Sequence, residues 1–312
     1  MKKAVWLNIL KWVWLAVVIA AAGWFFSVNF RDIRTYITNI SITRLILSLL
    51  LLIVAKFLTA DLTYYSLTLT GQTVSFKEAF SITSITQLGK YLPGGIWHFA
   101  GKFGVYQARG MSAKQAARPI IIENLWLIAS ALMTGLAALL FSHSPLPCRY
   151  IPVFCNRTSG LILIFSSGMI WIFSTYLILR YLIKTTISPL LHFRLCLEQL
   201  LIWFLFGCSF WLVYPQNPSL DFLLQAIGAF ALSWALGYVV FFAPGGIGIR
   251  EASMTLLFSS FFLPQTTAIF AAVHRMLWVL TEIFLALLCM AVFGLPLGLD
   301  QPDKPSQNMD NK

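Results

Sequence analysis

Long apolar runs broken by short polar punctuation organise this chain. Runs close to the ~20 residues that a helix needs to cross the hydrocarbon core of a bilayer cover residues 12–28, 42–65, 120–141, 161–183, 195–213 and 268–293. Each predicts one complete crossing. Two further apolar stretches, 76–102 and 222–263, are interrupted by Pro-Gly-Gly-Ile, once at Pro93-Gly94-Gly95-Ile96 and once at Pro244-Gly245-Gly246-Ile247. Proline cannot continue the helical hydrogen-bond ladder, and glycine permits backbone dihedrals that other residues resist. Each interrupted stretch therefore predicts a helix, a break and a returning helix. The expected fold is an all-α polytopic membrane protein with six full crossings and two broken re-entrant hairpins.

The order of elements carries a second pattern. Residues 42–141 read as crossing, hairpin, crossing, and residues 195–294 repeat that order. Counted along the chain, the two units enter the membrane with opposite orientation, which predicts an inverted repeat. In membrane proteins of that kind, broken helices from both halves meet near the midplane around a substrate site, because backbone outside a helix persists only beside protein or a wet cavity. A helix beginning just after each break would aim its first amides at an anion such as phosphate. The alternative reading is a glycine-rich packing site between helices.

Composition agrees with the membrane reading. Of 312 residues, 59% are hydrophobic and 11% charged, far too apolar for a soluble globular domain. The start, Met1-Lys2-Lys3 with Ala20-Ala21-Ala22 downstream, resembles a secretory signal. The apolar run continues through Trp24-Phe25-Phe26, which favours a retained first crossing. A single membrane domain over 1–299 and a polar cytoplasmic tail over 300–312 are expected.

The net charge of +11 is spread through short loops, which argues for the membrane and against nucleic acid. With a cytoplasmic N-terminus, thirteen Lys and Arg residues fall inside, among them Lys77, Arg109, Lys114, Arg118, Arg180 and Lys184, against Arg31, Arg34, Arg44, Arg149 and Arg157 outside. This asymmetry favours both termini in the cytoplasm. Five cysteines without a Cys-x-x-Cys pair indicate no metal site, and no cofactor is expected. Cys148 and Cys155 share the loop expected to face outside, where a bridge is permitted but not required.

Ionisable groups at membrane depth cost roughly 2.5 to 3.5 kcal/mol on insertion scales, so each needs a reason to be there. Arg250 and Glu251 directly follow the second break, as a working pair or as a structural salt bridge. Arg275 and Glu282 are seven residues apart on one face of the last crossing, with His274 adjacent. Glu123 has Asn124 beside it and Arg275 as a partner across the repeat. Lys90, Trp97, His98 and Lys102 place charge and aromatic surface around the first break, a combination suited to a phosphorylated or glycosylated lipid head group. His98 alone reads more often as a hydrogen-bonded structural residue than as a ligand-binding one. Lys56 and Asp61 read as snorkelling side chains.

The stretch Pro244-Gly245-Gly246-Ile247-Gly248-Ile249-Arg250-Glu251 resembles the signature of the lysylphosphatidylglycerol synthase transmembrane-region family, the flippase-like domain proteins. The length and crossing pattern fit nearly the whole chain. The resemblance carries Pro244, Gly245, Gly246, Gly248 and Glu251 onto the second-half motif. Lys90-Tyr91-Leu92-Pro93-Gly94-Gly95-Ile96-Trp97-His98 looks like a divergent form of it in the first half. It implies a bacterial or archaeal inner-membrane protein that moves a lipid, or a lipid-linked head group, between leaflets. It also implies a place beside envelope glycosyltransferases in polysaccharide biosynthesis, favouring a polyprenyl-phosphate-linked sugar. No soluble synthase segment follows the membrane region in this sequence, so synthase activity is not carried over.

Two other classes compete. A membrane transferase would draw its acid and base from Glu123, Glu251 and His274, but no His-x-x-x-x-Asp, Asp-x-Asp or Gly-x-Ser-x-Gly motif is present. A non-catalytic scaffold would dock a glycosyltransferase on the basic stretch 102–118. The transport reading makes Glu251, Arg250, Arg275 and Glu282 switching ion pairs, with the turn amides, Lys90 and Lys102 holding phosphate.

Overall fold

A computed structural model describes residue 27 and residues 30–92, 95–142, 156–214, 220–240, 243–259 and 263–294. The apolar run at 12–28, the Cys148 and Cys155 loop and the polar tail lie outside the described residues, apart from residue 27. The described residues form helices α1 (Phe30–Asn39), α2 (Ile42–Thr68), α3 (Phe76–Gln87), α4 (Trp97–Ala108), α5 (Ala113–Phe141), α6 (Arg157–Leu177), α7 (Pro189–Leu212), α8 (Leu220–Val239), α9 (Ile249–Phe258) and α10 (Pro264–Phe293).

Six of the described helices are long and apolar enough to cross a bilayer: α2, α5, α6, α7, α8 and α10. The protein is thus an all-α, multi-pass membrane protein. Four of them start four or more residues before the apolar runs, at Ala113, Arg157, Pro189 and Pro264. Their first turns are polar and carry start signals that hydropathy does not see, such as the Ser112 and Gln115 capping box and the Ser188 cap before Pro189.

Both interrupted stretches turn back on themselves. At the mouth of the first, Arg109, just past α4, donates through Nη2 to Oε1 of Glu78 in the first turn of α3 at 2.8 Å. At the mouth of the second, Nε2 of Gln225 in α8 donates to the Leu257 carbonyl near the end of α9 at 2.9 Å. Twelve-residue α3 and α4 rise only ~18 Å each, too short to span. By length α8 qualifies as a crossing, unlike the other three arms, yet its partner α9 returns to where α8 began. The mouths lie at opposite ends of the bundle. The first sits at the C-terminal end of α2, where Leu67, Ile82, Tyr106 and Ala116 share a small core. The second sits at the C-terminal end of α5, where Ser142 donates to Gln225 at 2.8 Å.

The helix contacts have the symmetry of the expected repeat. Exchanging α2 with α7, α3 with α8, α4 with α9 and α5 with α10 turns every close helix pair among these eight into another close pair. The α3 on α10 contact, for example, becomes α8 on α5. At the centre stands α8, two-thirds of whose span is buried, while only 11% of the α6 span is buried. An aromatic core of Trp203, Phe206, Phe210, Phe230, Trp234 and Trp278 surrounds α8. Hydrocarbon does not drive helices together, so close backbone approach matters. An added Cβ at Gly228 of α8 would lie 2.9 Å from the backbone N of Leu139 in α5.

Two outcomes follow. Gly228→Ala forces α5 and α8 apart and should destabilise by about 1–3 kcal/mol, read as a lower thermal midpoint in detergent. Burial alone would raise the Glu78 carboxyl, but the Ser75 amide and hydroxyl and the Arg109 guanidinium outweigh it and hold it below its usual value. Its contribution is therefore present above the usual carboxylate range and is lost as pH falls through the depressed folded value. Hydrogen-exchange protection of the first amides of α3, taken relative to the intrinsic rate at each pH, should fall as the solution is acidified, and Glu78→Gln should remove that dependence.

A candidate anion site where the two breaks meet

Local backbone chemistry brings the second break to its shape. Gly245, Gly246 and Gly248 all adopt positive φ, at 57°, 73° and 85°, a region open to glycine and resisted by side chains. The space is closed as well, since a Cβ on Gly246 would sit 2.8 Å from the Gly237 carbonyl oxygen. The tip at Pro244–Gly246 touches the tip of the first hairpin at Leu88–Tyr91. Pro93 and Gly94 lie outside the described residues. Gly95, also at positive φ, lines the same junction.

Glu282 of α10 organises the junction. Its Oε1 accepts from Lys90 Nζ at 2.5 Å and from Lys56 Nζ, and its Oε2 accepts from the Tyr91 hydroxyl at 2.6 Å. Lys56 also lies 3.8 Å from the Trp278 ring centroid. All three donors come from the first repeat and the acceptor from the second. Arg275, expected to switch with Glu282, instead donates through Nη2 to the Gly245 carbonyl at 2.5 Å and faces the Tyr91 ring at 5.9 Å.

Several expected roles change. Glu251 accepts the Gly248 amide at 2.7 Å, so a side chain of the protein itself caps the start of α9 and takes the amide expected to hold phosphate. Glu251 makes no ion pair among the described residues. Arg250 packs against Trp234 at 5.5 Å, is 5% exposed, and its Nε has no hydrogen-bond partner. Glu123 answers Lys102, not Arg275, at 2.5 and 2.6 Å, and Thr63 completes that network. Lys102 is therefore saturated inside the first repeat and unavailable to phosphate. His274 shares a hydrogen bond with Ser209 at 3.0 Å, in contact with Ser48 beyond it. Trp97 is half exposed. His98 is buried, with Nε2 at 3.4 Å from the Tyr238 hydroxyl, which in turn donates to Asn124.

The junction thus collects Lys90, Gly95, His98, Gly245, Gly246, Arg250, Glu251, Arg275 and Glu282, together with Lys56, Tyr91 and Tyr238, which sequence reasoning missed. Lys56 was legible in principle, because a lysine eleven or more residues from either end of α2 is too deep to snorkel. Asp61, nearer the end of that helix, does have a surface partner in Arg194 at 3.5 Å. Four cations, Lys56, Lys90, Arg250 and Arg275, face two carboxylates, Glu251 and Glu282. Among the described residues, no three His, Cys, Asp or Glu side chains converge as metal ligands do. The arrangement can attract and orient an anion.

Glu282→Gln leaves Lys56 and Lys90 buried without a counter-charge and should cost about 3–5 kcal/mol, measured as the loss in thermal or denaturant stability. Adding Lys56→Met should return part of that loss. No protein-family model matches this chain, and a search of curated proteins finds no match, so its chemistry is read from this junction.

Proposed function

We propose that the protein moves a phosphate-bearing lipid, or a lipid-linked saccharide, between the two leaflets of its membrane, as the resemblance to flippase-like proteins implies. The observation that carries this reading is the surplus of buried positive charge where two re-entrant tips from inverted halves meet. A positive cluster in hydrocarbon is costly unless it serves an anion, and inverted repeats with broken helices are the architecture of alternating access. The head group would exchange its water for Arg250, Arg275 and Lys90 while the tail stays in the bilayer. Opening on either side would require the Lys56, Lys90 and Tyr91 bonds to Glu282 to break, because these join the halves at the centre. The bacterial or archaeal inner membrane and a role in envelope polysaccharide assembly belong to the same proposal.

The test is leaflet transfer of fluorescent phosphatidylglycerol and of a polyprenyl-phosphate-linked sugar in proteoliposomes. Native protein should move at least one of them faster than empty vesicles do. Arg250→Gln should lose that transfer while the protein still folds. Transfer of neither lipid, or transfer unaffected by Arg250→Gln, would sink the reading.

A further inference from the structure

Arg250 and Arg275 line one small cavity at the second break, where Glu251 is the one carboxylate among the lining residues and forms an ion pair with neither. Its volume is about 20 Å³, and Phe230, Met254, Ala271 and Trp278 supply an apolar wall. Arg275 has committed Nη2 to the Gly245 carbonyl. The Glu251 carboxylate also borders this space, but its Oε2 is held by the Gly248 amide. His274 borders it too, with Nε2 turned to Ser209. Arg250 is left as a buried guanidinium whose Nε has no partner and which forms no ion pair among the described residues. A second cavity of about 20 Å³ lies on the other side of Arg250, bordered by Lys90, His98 and Tyr238. There Lys90 is already neutralised by Glu282.

An unpaired buried charge is among the costliest features a protein can carry. Water would satisfy the orphaned donor without neutralising the pair of guanidinium groups. By volume the cavity takes one water-sized particle, for which roughly 10–15 Å³ suffices. A tetrahedral oxyanion with four oxygens does not fit the closed form. We propose that a single monatomic anion, chloride or another halide, occupies the cavity between Arg250 and Arg275 when no lipid head group is present. It supplies the missing counter-charge and holds the second break closed. The binding itself does not depend on lipid transport. One consequence does rest on the transport reading: an arriving head-group phosphate displaces the halide, so chloride competes with the lipid.

The experiment uses the full chain in nanodiscs of phosphatidylcholine alone, prepared in gluconate and titrated with chloride, bromide or inorganic phosphate at constant ionic strength. Thermal midpoint is the readout. Chloride and bromide should raise it saturably, while inorganic phosphate and gluconate should not. Arg250→Lys keeps the charge but loses the fork of donors, and should weaken half-saturation by about tenfold. Arg250→Met should abolish the response. A native protein indifferent to both halides overturns the proposal without reference to any variant. So does a halide response unchanged in both variants, or a phosphate response equal to that of chloride. Lipid transfer measured in chloride and in gluconate separates the two readings. Halide binding without transfer of any lipid leaves this site standing and removes the transport function, whereas transfer without halide binding does the reverse.

Discussion

Glu282 is the point through which the two halves of the molecule are joined electrostatically. One carboxylate receives two ammonium groups and a phenol, all from the first repeat, at a depth where none of these groups would be tolerated alone. Attraction between charges in a low-dielectric setting is large, but so is the cost of removing them from water. Such a cluster is a poor way to add stability and a good way to specify one arrangement. The re-entrant tips can touch because this cluster fixes their position. Around it the bundle is built from glycine-mediated approaches and an aromatic core.

A second, separate ion pair shows how differently the two halves use charge. Lys102 and Glu123 neutralise each other inside the first repeat, with Thr63 and Thr83 extending the network. Nothing is left over there. In the second repeat Arg250 and Arg275 share the second break with one carboxylate, Glu251, which is taken by the Gly248 amide and forms an ion pair with neither. The pseudo-symmetry of the backbone is therefore broken in its charges: two lysines of the first repeat share Glu282, and two arginines stand at the second break with Glu251. Functional asymmetry within a symmetric scaffold is what a one-sided ligand site requires.

Self-capping of α9 by Glu251 bears on how the proposed site would recognise an anion. The start of a helix attracts anions through its free amides and dipole, and here a carboxylate three residues on already takes that place. In the proposed site, recognition would fall to side chains, chiefly the guanidinium groups, which offer directional pairs of donors. The trailing glutamate of the motif thus shapes the break, while the arginine before it faces the cavities.

Much of the architecture was written along the chain. Apolar runs of membrane length can only become helices, because no water is present to satisfy an open backbone, and Pro-Gly-Gly marks where such a helix must stop. The opposite orientation of two like-ordered units follows from counting. Which charges meet was not written there. Glu282 lies 192 positions from Lys90 and 226 from Lys56, and pairings across such distances depend on how helices are rotated and how deep the tips reach. Sequence spacing orders residues on one helix face, so Arg275 and Glu282 looked like partners. Tertiary packing turned one to the Gly245 carbonyl and gave the other to two lysines from the opposite repeat, because a buried carboxylate pairs with whatever charge the fold brings within reach.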